Sequence, residues 1–201
     1  VPLLTTAEAK VYLTEVTDSS TTQDARIDAL VLAADDLLAR ALGYPENDSN
    51  TRTLDSATYT EFLDGPSETD RRSLLLAVSP VTSITSIHDS PTWAYDAGDL
   101  VDATDYLSVR DGWVHLTPTG THAWSKQLRV LQVIYVAGEA LDDGEKEAVG
   151  QFVAHLFRLP KRQGRQSTSQ KGHTASFRVE DIPAHVLRQL THRANPAVII
   201  G

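Results

Sequence analysis

Helical periodicity runs along both ends of this chain and stops in the middle. Ile27, Leu30, Val31, Ala34, Leu37, Leu38 and Ala41 recur at the spacing of one helical face, and Ala148, Val149, Phe152, Leu156 and Leu159 do the same further on. Between them, from about Thr51 to Gly138, β-branched and aromatic residues come in short runs separated by Gly, Pro and Asp. A strand period cannot sit inside a helix, so the chain must leave its helical scaffold and return to it. The expected fold is α+β: a small bundle of about four helices, residues 1–50 and 140–201, carrying an inserted antiparallel β domain over 51–139, sandwich- or barrel-like.

Local signals fill in this plan. Thr5-x-x-Glu8 reads as a capping box opening a short helix through Ala9, Val11, Tyr12 and Leu13. The second helix follows Thr17–Gln23 and stops at Gly43 and Pro45, with Asp28, Asp35, Asp36 and Arg40 forming a solvated face. Strands are expected at Thr58–Leu63, Leu74–Val78, Ile84–His88, Tyr106–Arg110, Trp113–Thr117 and Leu128–Val136. Asp111-Gly112 suits a type I′ hairpin turn. Leu128–Val136 is apolar on both alternations except Arg129 and Gln132, as expected of a central strand covered on both faces. The third helix follows Asp142 and ends at Pro160. Residues 160–175 read as a flexible basic loop, and Ser176–Val179 as a brief strand. A last helix is expected from Asp181 as N-cap, with Pro183 in its first turn, through Val186, Leu187 and Leu190 to about Arg193. Residues 194–201 would form an extended apolar tail.

Charge is unevenly distributed within a net of −9. Residues 1–150 hold 10 Lys/Arg against 25 Asp/Glu, whereas 151–201 hold 8 against 2, and no acid lies between Glu147 and Glu180. An acidic body repels nucleic acid while a local basic segment can dock a polyanion or an acidic protein, so directed association is expected. Cys is absent, which excludes disulfides and thiolate metal sites and suits a reducing cytoplasm. No run reaches the length of a membrane-spanning helix, and Val1–Lys10 lacks a basic-then-apolar leader, so no membrane partner is expected.

Catalytic spacings are missing: there is no Gly-x-Gly-x-x-Gly, no Gly-Lys-Ser/Thr phosphate loop, no His-Glu-x-x-His and no Gly-x-Ser-x-Gly. No enzyme activity, cofactor or metal is expected. His185 and His192 share a helical face with Arg188 between them, but two turns separate them by about 10.5 Å, too far for one ion. His155 lies near an apolar stripe and reads as a hydrogen-bonded core or interface residue. Asp96, Asp99, Asp102 and Asp105 recur every third residue without the alternate oxygens and central Gly of a calcium loop, so an acidic surface is the better reading. Arg158, Lys161, Arg162, Arg165, Lys171 and Arg178 form the one basic cluster, able to neutralise DNA phosphates or to pair with the acidic body of a neighbour. No aromatic residue interleaves the run 161–171, which argues against a stacking platform for single strands.

The order of elements resembles the head-to-tail connector, or adaptor, proteins of tailed bacteriophages. The resemblance is carried by Leu4-Thr5-Thr6-Ala7-Glu8-Ala9-Lys10, the long helix closed by Leu42-Gly43-Tyr44, the strand Tyr59-Thr60-Glu61-Phe62-Leu63-Asp64-Gly65, and Ser79-Pro80-Val81-Thr82-Ser83-Ile84-Thr85-Ser86-Ile87. Tyr106 to Leu116 and Val133-Ile134-Tyr135-Val136-Ala137-Gly138 continue it, whereas the last 40 residues match only in type. It implies a structural protein of the virion neck, assembled in the cytoplasm of a bacterial host as a homo-oligomeric ring of twelve beneath the portal. Its partners would be the portal protein, the next neck ring (stopper) or a tail protein, and DNA passing through the lumen. His185, Arg188, His192 and the tail residues Ala197, Val198, Ile199 and Ile200 would then be portal-docking candidates, and the basic cluster a DNA or partner contact. A nucleic-acid-binding module working through 158–178 is the alternative.

Overall fold

A computed structural model of the chain describes residues 3–14, 16, 21–66, 72–159, 167–170, 173–176 and 182–193, the backbone alone for 167–170 and 173–176. The chain forms two compact units: Val1–Ala41 with Leu141–Arg193, and a second one that includes Leu42–Ala140.

Among the described residues, the first unit holds the helices α1 (Thr6–Val11), α2 (Asp24–Ala41), α3 (Asp143–Arg158) and α4 (Ala184–Leu190), the last continued by a 3-10 turn at Thr191–Arg193. Thr5 caps α1 as its spacing predicts: its hydroxyl accepts the Glu8 amide at 3.2 Å, and the Glu8 carboxylate accepts the Thr5 amide at 2.7 Å. The other Glu8 oxygen accepts from Lys146 on α3 at 2.9 Å. These bonds, the Thr5 amide foremost and Lys146 next, hold the Glu8 carboxyl at about 2. Glu145 closes the equivalent box with Asp142 at the start of α3.

The buried face of α2 differs from the apolar stripe in the sequence. Ile27, Val31, Ala34 and Leu38 are buried as expected, but Leu37 and Ala41 are exposed, and Asp35 and Ala39 are buried instead. Residues 27, 31, 35 and 39 form one i+4 ridge, and α2 packs against both α1 and α3, so the covered sector is rotated toward that ridge. Asp35 therefore leaves the solvated face assigned to it, where Asp36 and Arg40 pair at 2.8 Å. On α1, Val11 is exposed while Lys10 is buried, its ammonium 2.7 Å from Asp24 at the start of α2.

The C-cap of α1 packs tightly on α3, where a Cβ at Gly150 would lie 2.3 Å from the Tyr12 ring. Ala normally stabilises a helix interior by about 1 kcal/mol over Gly. Here Gly150→Ala should instead lower the unfolding free energy by about 1–2 kcal/mol, because overpacking outweighs the propensity gain. Urea unfolding followed by circular dichroism checks the sign, and a more stable variant would contradict this packing.

Among the described residues, the second unit holds two three-stranded antiparallel sheets. One orders β1 (Ala57–Leu63), β6 (Leu131–Ala137) and β3 (Val81–Asp89), and the other β2 (Ser73–Leu75), β5 (Trp113–Leu116) and β4 (Tyr106–Ser108). All six strands read from the sequence are present, and both sheets are open, with no closed barrel among the described residues. A backbone bond from the Val81 amide of β3 to Arg110 O (2.7 Å), just past β4, joins the two sheets, while the Leu76 amide bonds Gly112 O (3.0 Å) and extends the β2–β5 ladder. β6 is central, as expected, but its two faces differ: Leu131, Val133, Tyr135 and Ala137 are buried, while Gln132, Ile134 and Val136 are half-buried. The hairpin at Asp111-Gly112 is present with another turn. Gly112 alone takes positive φ (96°), its amide bonds Val109 O at 3.0 Å, and the Val109 amide bonds Trp113 O at 2.7 Å. This is a three-residue loop of the type I plus bulge kind, in which Asp111 keeps an ordinary conformation.

Within 160–175, a segment read as loop, the backbone forms an antiparallel pair of β7 (Ser167–Gln170) and β8 (His173–Ser176). Only Ser176 of the expected Ser176–Val179 strand is described, and it ends β8. The last helix begins later than expected, at Ala184 with Pro183 as N-cap and no side-chain cap. Asp181 lies outside the described residues.

Candidate functional site

Three features stand out from the surface, and none is a catalytic constellation. Among the described residues no group of three or more His, Asp or Glu could hold a metal ion, and no helix is long and apolar enough to cross a membrane. The acidic ladder serves turns: the Asp96 side chain accepts the Gly98 amide at 2.8 Å, and Asp102 accepts both the amide and the hydroxyl of Thr104 at 2.8 Å. The Thr104 amide and hydroxyl lower the Asp102 carboxyl below its usual range.

The first feature is the basic segment. Arg158 ends α3 and is half-buried; Lys161, Arg162, Arg165, Lys171 and Arg178 lie outside the described residues. In the sequence these cations bracket the β7–β8 hairpin, with Lys171 between its strands.

The second is the junction of α4 with α3. His185 Nε2 is 3.0 Å from Gln151 Oε1, Gln151 donates to Glu147 at 3.1 Å, and His192 Nε2 is 2.8 Å from Glu145 Oε1. Both histidines thus have partners on α3 and remain exposed, as does Arg188. Ala197, Val198, Ile199 and Ile200 lie outside the described residues. The anchor that sequence reasoning missed is Glu145, whose side chain is 3% exposed. It accepts from Arg193 through both Nε and Nη2, the latter at 2.7 Å, while capping Asp142 at 2.7 Å. Burial opposes its ionisation, but the Arg193 guanidinium, the Asp142 amide and His192 outweigh that and hold the carboxyl below its usual range. The Asp142-x-x-Glu145 spacing signals the cap; nothing local signals Arg193, 48 positions away.

The third is an aromatic cleft of about 340 Å³ on the β unit, lined by Phe62, Trp93, Tyr95, Leu128 and Arg129. Trp93, Tyr95 and Arg129 all have positive φ (60°, 52° and 50°), conformations that bulky residues adopt only when their surroundings enforce them. The enforcing contacts are visible. Ser90 Oγ accepts the amides of Ala94 and Tyr95 at 3.0 and 3.1 Å, Trp93 Nε1 donates to Leu128 O at 3.0 Å, the Tyr95 hydroxyl donates to Arg129 O, and the Arg129 amide donates to Asp64 at 2.7 Å. Phe62 lies 5.3 Å from the Tyr95 ring and carries the Arg129 guanidinium at 5.2 Å. Yet Trp93 is 60% and Leu128 73% exposed. The sequence shows Trp93 and Tyr95 only as aromatics in a polar loop.

Residues 3–193 match the family model described as "Head completion protein", and the chain belongs to that family, a structural head-to-tail connector. The fold is shared with a chain of the "Virion of native gene transfer agent (GTA) particle", with TM-score 0.55 and 18% identity over 93% of this chain and 89% of that one. It is shared also with chains of the "Neck of empty GTA particle computed with C6 symmetry" (TM-score 0.54) and the "Neck of native GTA particle computed with C12 symmetry" (0.51), each 15% identical over 93% of this chain and 88% of that one. No curated protein matches.

Proposed function

We propose that this chain assembles as a closed ring of twelve in the virion neck, docked on the portal, and links the DNA-filled head to the next neck ring or the tail without making or breaking a bond. The observation that carries the reading is the family match over residues 3–193, supported by the neck structures that share the fold. Heterologous contacts between identical copies close into a ring when each copy is rotated relative to the next. His185, Arg188 and His192 on the outer side of α4, with the apolar run Ala197, Val198, Ile199 and Ile200, are the portal-docking candidates. An extended β-prone tail suits strand addition or groove insertion.

The charge distribution supports a channel that DNA traverses without sticking. Residues 42–140 carry 14 Asp/Glu against 6 Lys/Arg, a net of −8 in the β unit. The free chain should therefore bind duplex DNA weakly at about 0.15 M salt, where the Debye length is about 8 Å. A fluorescence-anisotropy titration checks this. Tight binding that collapses on changing Lys161, Arg162 and Arg165 to Ala would favour the nucleic-acid module instead. The functional test is deletion of the chain from a particle-producing strain. DNA-packed heads without tails are expected, and infectious tailed particles at the normal yield would overturn the proposal.

A further inference from the structure

The aromatic cleft has no role in the fold that would require its exposure. Its two aromatic tips are held in positive-φ conformations by bonds to Ser90 and to the backbone at 128–129, so the cleft is preorganised rather than a loop end that happens to be apolar. Three observations define the partner chemistry. The cleft already accepts one cation on an aromatic face, Arg129 over Phe62 at 5.2 Å, and leaves the Trp93 ring, the best such face, 60% exposed. Exposed carboxylates adjoin it: Asp64 bonds the Arg129 amide, and Asp96 follows Tyr95. The unit around it carries a net of −8. A cationic peptide that lays its side chains on Trp93 and toward Asp64 and Asp96, clear of the Arg129 guanidinium, fits all three, whereas a phosphate backbone finds one cation, Arg129, against a surrounding net of −8, and an uncharged tail leaves the acidic rim unused.

The chain itself supplies such a peptide. Lys161, Arg162, Arg165, Lys171 and Arg178 bracket the β7–β8 hairpin in a stretch with no acid from 148 to 179. We propose that the cleft lined by Phe62, Trp93, Tyr95, Leu128 and Arg129 on one copy receives the cationic segment 161–178 of a second copy of this chain. The inference rests on the ring reading, since a head-to-tail contact between two different surfaces is what a ring requires. It gives the basic segment a protein partner rather than DNA, and gives the acidic β unit a share in closing the ring.

The test uses neck particles assembled from the full chain and its portal. p-Benzoylphenylalanine is placed at position 93, and unlabelled chain is mixed with nitrogen-15-labelled chain before assembly. Photolysis should yield cross-links of mixed isotope composition between position 93 and peptides from 161–178. Two variants provide a second measurement: Trp93→Ala, and Lys161→Ala with Arg162→Ala and Arg165→Ala. Each should weaken copy-to-copy association about tenfold, and combining them should weaken it little further, because both remove one contact. Cross-links to 194–201, to the portal or to DNA, or none at all in particles whose images show the ring, would overturn the cleft assignment alone. Additive losses in the combined variant would overturn it as well. Wild-type particles without a ring would overturn the ring reading and, with it, this inference.

Discussion

Arg193→Ala should destabilise the helical unit by about 3–5 kcal/mol, more than any other single change at its surface, because it strands a buried carboxylate. Glu145 is 3% and Arg193 7% exposed as side chains, so neither can fall back on water. Removing the guanidinium takes both of its bonds to Glu145 and leaves that carboxylate with His192 and the Asp142 amide. Truncating both partners should recover only part of the loss, since Glu145 also closes the capping box of α3, worth about 1 kcal/mol by itself. Urea unfolding near pH 7 measures the difference. The contribution is present above the ordinary Glu range and fades as the pH falls through the lowered Glu145 value. A loss below about 1 kcal/mol would mean that the pair behaves as an exposed surface bridge.

Tyr135→Phe should cost the β unit about 2–4 kcal/mol, because one hydroxyl serves a buried amide and a half-buried carboxylate. It donates to Glu61 Oε1 at 2.6 Å and accepts the Val78 amide at 3.3 Å, joining β1 and β6 to the turn before β3. Glu61 also accepts the Ala77 amide, at 2.9 Å. Burial raises the Glu61 carboxyl above its usual range despite the bonds from Tyr135 and Ala77. A folded-state value above the unfolded one means that Glu61 favours folding most at low pH, a contribution lost as the pH rises through the folded-state value. Glu61→Gln should remove that slope while keeping an acceptor for Ala77. Comparing unfolding midpoints of wild type and variant between pH 4 and pH 8 tests it; identical pH profiles would contradict the assignment.

What the sequence reveals and what it hides divides along chain distance. The Thr5–Glu8 box, the six strands and the central place of β6 depend on neighbours within a few residues, and periodicity exposes them. The Asp111-Gly112 turn is half legible, because the dipeptide marks a hairpin but the strand register decides how many residues the loop spends. Asp35 misleads because its residue type speaks for water while its place on the 27–31–35–39 ridge puts it on the buried face of α2. The β7–β8 pair hides in a polar composition typical of loops. The site is less legible still. Glu145 meets Arg193, and Phe62 meets Tyr95 and Arg129, only through the fold, so no spacing rule announces them. His185 and His192 are recognisable as one helical face, but their bonding to α3 is not.

Ring closure with copies of itself on the portal, proposed above, fixes the mass that this chain must reach. Its most direct test is the mass of the complex formed when the 22.0 kDa chain is mixed with its portal, by light scattering or native mass spectrometry. A discrete species holding twelve copies of the chain per portal ring is expected, with the single-chain mass depleted in proportion. A chain that keeps its 22.0 kDa mass at every portal concentration would contradict it.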